Sequence, residues 1–324
     1  MPRVFSGIQP SGELHIGNYL GAVRNWVALQ DHHECFFCVV DYHAITAPYE
    51  PESLRRRTRE MAISLLAAGI DPNKCTLFVQ SMVPETTELT WIFNSVTPMG
   101  ELERQTQFKD KSARQESIPA GLLNYPVLQA ADILLYRAEL VPVGEDQVQH
   151  LELAREIARR WNARFRADYF PEPHPLLTGA RRIMGLDGQA KMSKSLGNTV
   201  GLLEEPEGIW EKLRPAVTDP KRVRRSDPGT PEVCNIYHLH QALSDATTVA
   251  HVAVQCSTAG WGCIDCKRVL FESLQRELEP MRARAEELRA APDMVSDILH
   301  AGAERCRVVA RATLCEVKEY MGLS

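Results

Sequence analysis

No stretch of the 324 residues stays apolar for the roughly 18 positions that a membrane-spanning helix needs. The first residues also lack the basic-then-apolar order of a secretory leader, so a cytoplasmic chain is expected. There is no internal repeat and no low-complexity tract, which excludes a solenoid and a long disordered tail. Nor is there an excess of positive charge: 37 Lys and Arg stand against 42 Asp and Glu, for a net charge of −5 and a pI of about 6.1. That balance excludes a polybasic nucleic-acid coat but leaves room for RNA recognition on one face. Local basic clusters occur at Arg55-Arg56-Arg57, at Arg155/Arg159/Arg160/Arg164 and at Lys221-Arg222-Val223-Arg224-Arg225. Each is as consistent with a solvated helix or loop as with a polyanion contact.

The chain is 44% hydrophobic and 24% charged, which suits one large globular domain and a smaller one. Residues 5–22 (FSGIQPSGELHIGNYLGA) crowd glycines, a proline and a histidine into the exit of a short apolar strand at residues 3–5. A helical period resumes from Asn18. Strand, glycine-bearing loop and helix start together predict an anion cradle, because free backbone N–H groups and the helix dipole point at one spot. Further apolar runs at 34–41, 75–80 and 139–143 read as buried strands, separated by helical patterns over 51–68, 84–96 and 124–136. Such alternation predicts a parallel sheet covered on both faces. The prolines of residues 171–175 read as a rigid connection, and residues 185–198 (GLDGQAKMSKSLGN) as a mobile loop. Beyond about residue 204 strand signals fade, and helices are expected at 206–213, 233–243, 269–291 and 294–321.

Two features stand out chemically. Asp132 falls on the apolar stripe of its helix with Leu128 and Leu135, so its carboxylate must reach solvent, be paired, or bind something buried. Among nine cysteines, unsuited to a disulfide framework in a cytosolic chain, Cys35 and Cys38 sit on opposite faces of a strand as core filler. Cys306 and Cys315 read as core as well. Cys234, Cys256, Cys263 and Cys266 form a separate group.

His15-Ile16-Gly17-Asn18 resembles the HIGH signature of class I aminoacyl-tRNA synthetases, with asparagine at the last position, and Lys191-Met192-Ser193-Lys194-Ser195 is similar to their KMSKS signature. Within that class the chain resembles the bacterial tryptophanyl branch over nearly its whole length, through FSGIQPSG, DYHAIT, GELERQTQFKDK, AGLLNYPVLQAADILLY and VPVGEDQ. The resemblance implies a Rossmann-like catalytic domain over 1–195 and an all-helical anticodon-binding domain over 196–324, with the last helix returning to the first. It implies activation of L-tryptophan with ATP and Mg²⁺, transfer to tRNA(Trp), and a homodimer. By resemblance, Lys191, Lys194, Asn18 and His15 are catalytic. Gln9, Pro10, Ser11, Gly17, Gly144, Glu145, Asp146, Ile183, Met192, Ser193 and Ser195 join them around ATP. Asp132, Phe5, His43, Tyr125 and Gln147 would hold tryptophan, with Asp132 accepting from the indole N–H. The four grouped cysteines, spaced x21, x6 and x2, resemble the set that carries a [4Fe–4S] cluster in some of these enzymes; zinc and unligated thiols are the alternatives. A tyrosyl-tRNA synthetase or a non-catalytic RNA-binding paralogue are the rival functions.

Overall fold

The computed structural model describes residues 1–106, 108–109, 117–144, 147–177 and 183–323. A five-stranded sheet in the order β3-β2-β1-β4-β5 forms its centre. Its strands are β1 (Arg3–Ile8), β2 (Glu34–Val39), β3 (Thr76–Val79), β4 (Leu140–Val143) and β5 (His174–Leu177), and every pairing is parallel. The helices α1 (Ile16–Asn18), α2 (Arg24–Leu29), α3 (Asp41–Ala44), α4 (Pro51–Ala67), α5 (Glu85–Asn94), α6 (Met99–Glu103), α7 (Ala120–Leu134) and α8 (Val148–Phe165) lie between them. Beyond the sheet run α9 (Pro206–Leu213), α10 (Asn235–Leu243), α11 (Ala246–Ser257), α12 (Cys263–Ala290) and α13 (Pro292–Met321).

Alternation along β2 divides the interior in two. Cys35, Phe37 and Val39 enter one core, while Phe36, Cys38 and Val40 enter the other. The first core continues without a break from the sheet into α12 through Leu270, Leu274 and Leu278. The second is roofed partly by α13, whose Cys306, Ala310 and Leu314 are buried there. Gly302 lets α13 lie directly on β3, since a Cβ there would overlap the Leu77 carbonyl. Among the described residues no helix is long and apolar enough to cross a membrane.

Four expectations need correction. The segment read as a proline-stiffened connection supplies β5, and Pro175 is tolerated because β5 is an edge strand. Helix α7 starts at Ala120, four residues early, with Pro119 extended at its N-cap, so Pro126 stands inside it. Helix α12 begins at Cys263 and α11 was not anticipated. Cys315 is exposed on the outer face of α13, not core.

Candidate active site

The carboxyl ends of β1, β2 and β4 open onto a cleft of about 470 Å³, lined among others by Phe5, Gln9, Gly17, Asn18 and His43. Tyr125, Asp132, Gly144 and Gln147 also line it. A second hollow of similar size adjoins it across Ile8, Gln9 and Asn18, bounded by Ser11, His15 and Lys191 to Lys194. Loops at the carboxyl edge of a parallel sheet are where such folds bind ligands.

At the floor of the first cleft Asp132 is 3% exposed. Its Oδ2 lies 2.8 Å from His43 Nε2, and its Oδ1 accepts from Gln80 Nε2 at 2.7 Å. Burial pushes the Asp132 carboxyl up from its ordinary value, while the bonds from His43 and Gln80 act against that rise. Gln80 is itself fully buried, and its Oε1 accepts from the Tyr42 amide at 3.0 Å. Sequence reasoning missed Gln80. The available signal was its place as the polar last residue of the third apolar run, at the sheet edge where ligands bind. On the other wall Tyr125 pairs its hydroxyl with His150 Nε2 at 3.1 Å, and His150 Nδ1 stands 3.1 Å from Gln105.

In the second hollow the two signature segments meet. His15 caps α1: its Nδ1 accepts from the Asn18 amide at 3.3 Å, and Asn18 Oδ1 accepts from the His15 amide at 3.3 Å. Burial, then the Lys194 charge, lowers the His15 pKa to about 4, so near neutral pH the ring is uncharged with its proton on Nε2. Gly12, at φ +146°, lies beneath Lys194, whose Nζ would be 3.1 Å from a Cβ there. A Cβ on Gly17 would stand 3.2 Å from Met192 Cβ. Burial lowers the Lys194 pKa, with Glu13 opposing and Arg57 reinforcing. The expected amide cradle is poorer than predicted, because the Ile16 amide donates to Val200 O and the Asn18 amide turns back on His15.

Pro10 is buried, and the Ile183 carbonyl accepts from the Met192 amide at 3.2 Å. Glu145 and Asp146, and the Ser195 side chain, lie outside the described residues. Asn198, also missed, organises the signature loop. Its Oδ1 accepts from the Ser193 amide at 2.8 Å and its Nδ2 donates to Asp187 Oδ2 at 2.9 Å.

The family model for class I tRNA synthetases of the tryptophan and tyrosine type matches residues 1–279. A tryptophan–tRNA ligase of Deinococcus radiodurans is 53% identical over 99% of both chains. The chain belongs to the class I tRNA synthetases, as a tryptophan–tRNA ligase of the bacterial type. A tryptophan–tRNA ligase of Parasynechococcus marenigrum is 47% identical over 100% of this chain and 98% of that one. The tryptophanyl-tRNA synthetase of Campylobacter jejuni, solved with ADP and tryptophan, superimposes on the synthetase with a TM-score of 0.92 at 37% identity, over 99% of this chain and all of that one.

Away from the cleft, Cys234, Cys256, Cys263 and Cys266 line one small cavity of about 20 Å³ together with Ile236, Val252, Trp261 and Arg222. Burial raises the Cys266 thiol to about 12 and the Cys256 thiol less far. Among the described residues no three His, Cys, Asp or Glu side chains are grouped so as to hold a metal ion. The fold of the synthetase thus gathers the thiols but shows no formed metal site. Arg222 is occupied internally, donating to the Trp261 carbonyl at 2.5 Å. Of the α8 arginines, Arg155, Arg159 and Arg160 are paired with Glu152, Glu156, Glu172 and Glu101, while Arg164 donates to the Ser95 carbonyl at 3.4 Å, so most of that cluster's charge is neutralised.

Proposed function

We propose that the adjoining clefts hold tryptophan over Asp132 and ATP between the two signature segments, so that the enzyme forms tryptophanyl-adenylate and passes the acyl group to tRNA(Trp). The observation that supports this most is the contact of Gly12 and Gly17 with Lys194 and Met192, which line the second hollow with His15 and Asn18. In the first step a carboxylate oxygen of tryptophan bonds to the α-phosphorus in line with the departing diphosphate, whose bond to phosphorus breaks. The substrate brings its own nucleophile, so the protein's task is alignment and stabilisation of the charge that gathers on diphosphate. Lys191 and Lys194 supply positive charge on flexible stems, and neutral His15 offers an Nε2–H. In the second step a hydroxyl of the tRNA's terminal adenosine attacks the acyl carbon and AMP leaves.

Asp132 retains lone pairs beyond those used by His43 and Gln80, so it can accept the indole N–H as well. Phe5, Tyr125 and Gln147 enclose the rest of the amino acid. Mg²⁺ comes with ATP, held mainly by phosphate oxygens, as that ion prefers. Residues 1–195 act as the catalytic unit and 196–324 as the anticodon unit, with tRNA meeting the exposed side of residues 221–225. A homodimer is part of the proposal, on the family resemblance. The nine free cysteines suit a reducing cytoplasm.

The four gathered thiols suit a [4Fe–4S] cluster in number and softness. Bound there, it would tie α10, α11 and α12 together; nothing in adenylate chemistry requires its electrons. Protein purified without oxygen should contain iron and sulfide in about equal amounts, and a colourless, iron-free protein defeats the cluster.

The function is tested by ATP–diphosphate exchange. Exchange should depend on tryptophan and not on tyrosine, and Asp132→Ala should erode a preference over phenylalanine of roughly 10⁴–10⁵. An Asp132→Ala enzyme with its preference intact removes Asp132 from this role.

A further inference from the structure

The signature loop is anchored from outside by a side chain that no signature contains. Residues 184 to 191 form a small hairpin in which Met184 bridges Lys191, and the Gly185 amide donates to the Ala190 carbonyl at 2.8 Å. Asn198 closes the structure from behind, bonding Asp187 and Ser193. A Cβ at Gly185 would overlap the Asn198 side chain, so the base of the hairpin has no slack on that side. The Gly185 carbonyl has two lone pairs and both are used. Gly188 N–H takes one at 2.9 Å within the turn, and Asn235 Nδ2 takes the other at 2.8 Å. Asn235 is the first residue of α10 and is 7% exposed. The neighbouring Leu186 carbonyl accepts from the Val217 amide at 3.0 Å, so two consecutive carbonyls are held from the helical part of the chain.

We infer that Asn235 is a positioning residue for the reaction: it fixes the base of the 185–198 loop so that Lys191 and Lys194 are presented to ATP. The inference rests on the adenylate-forming reading above. Without its amide donor the Gly185 carbonyl keeps its bond to Gly188, so the hairpin survives but its tie to α10 is lost. The loop then samples positions in which the lysines stand away from Gly12 and Gly17. Asn235 touches neither substrate, and its effect passes through the loop.

Asn235→Ala removes the side chain, and Asn235→Asp keeps its shape but lacks the donor and places an acceptor against the carbonyl. Both variants are expected to slow adenylate formation by about 3- to 10-fold, the scale of one ordinary hydrogen bond. Both are expected to raise the KM for ATP while leaving the KM for tryptophan unchanged. Trypsin cleavage after Lys191 or Lys194 in the full-length protein should accelerate by a similar factor, a readout independent of activity. If Asn235→Asp matches the parent in exchange and in loop cleavage, the inference is overturned. It is overturned equally if ATP and tryptophan parameters change together while loop cleavage does not. A parent enzyme without tryptophan-dependent exchange would instead refute the reading on which the inference rests.

Discussion

At the scale of single residues the site separates a charge that must act from charges that must be held. In the proposed reaction Lys194 is the acting group; in the structure it is partly desolvated and set over Gly12. Lys194→Ala should lose about 2.7–4 kcal/mol of transition-state stabilisation, with tryptophan affinity retained; single-turnover kinetics beside equilibrium binding make the comparison. Gln80 belongs to the held group. Gln80→Met removes the donor to Asp132 Oδ1 in a dry environment, and unfolding by denaturant should show a loss of about 1–3 kcal/mol. His15 adds a pH dependence. The unfolded chain protonates this ring near its ordinary 6.5, but the folded chain does so only near 4. Its contribution is therefore complete above about 6.5 and is lost as the pH falls toward 4, and His15→Gln should flatten the stability profile in that window. Of these residues, His15 and Lys194 were legible through their signatures and Asp132 through its place on an apolar stripe. Gln80 and Asn198 were not, because their importance comes from partners 52 and 5 residues away whose positions the linear pattern does not encode.

At the scale of elements, continuous apolar runs located β1 to β4, and their alternation with helical patterns predicted a parallel sheet covered on both faces. It failed where local chemistry and tertiary position disagree. Proline content speaks against a strand, yet an edge strand needs only one side of its backbone ladder, so His174–Leu177 pairs with β4 regardless. The start of α7 was hidden for a related reason: Pro126 looks like a beginning, but the surrounding apolar packing carries the helix past it. Contact between α13 and β3 depends on the single hydrogen at Gly302. Gly302→Val must displace helix or strand, and a stability loss of about 1–3 kcal/mol or more should appear as a lower Tm, measured by calorimetry.

At the scale of the whole molecule the parts on either side of residue 195 share a core and several polar ties. Tyr19 donates to Glu277 at 2.6 Å and Arg289 pairs with Glu60 at 2.8 Å. Helix α13 adds Arg311 to Glu85 and Arg307 to the Met82 carbonyl, both at 2.9 Å. The sequence indicated two compositional halves, but periodicity carries no information about which surfaces of α12 and α13 face the sheet. The return of α13 to the sheet was expected through the family resemblance alone.

The roof laid by α13 over β3 has a consequence for how the protein comes into being. All five strands are synthesised before residue 178, whereas the side chains that cover the second core, Cys306 to Val317, are synthesised more than a hundred residues later. During that interval α5, α7 and α8 already lie against that face, but the part beside β3 that α13 covers is open to water. Slowing translation within α12 should lengthen that exposure and lower soluble yield, measured as the soluble fraction of newly made protein.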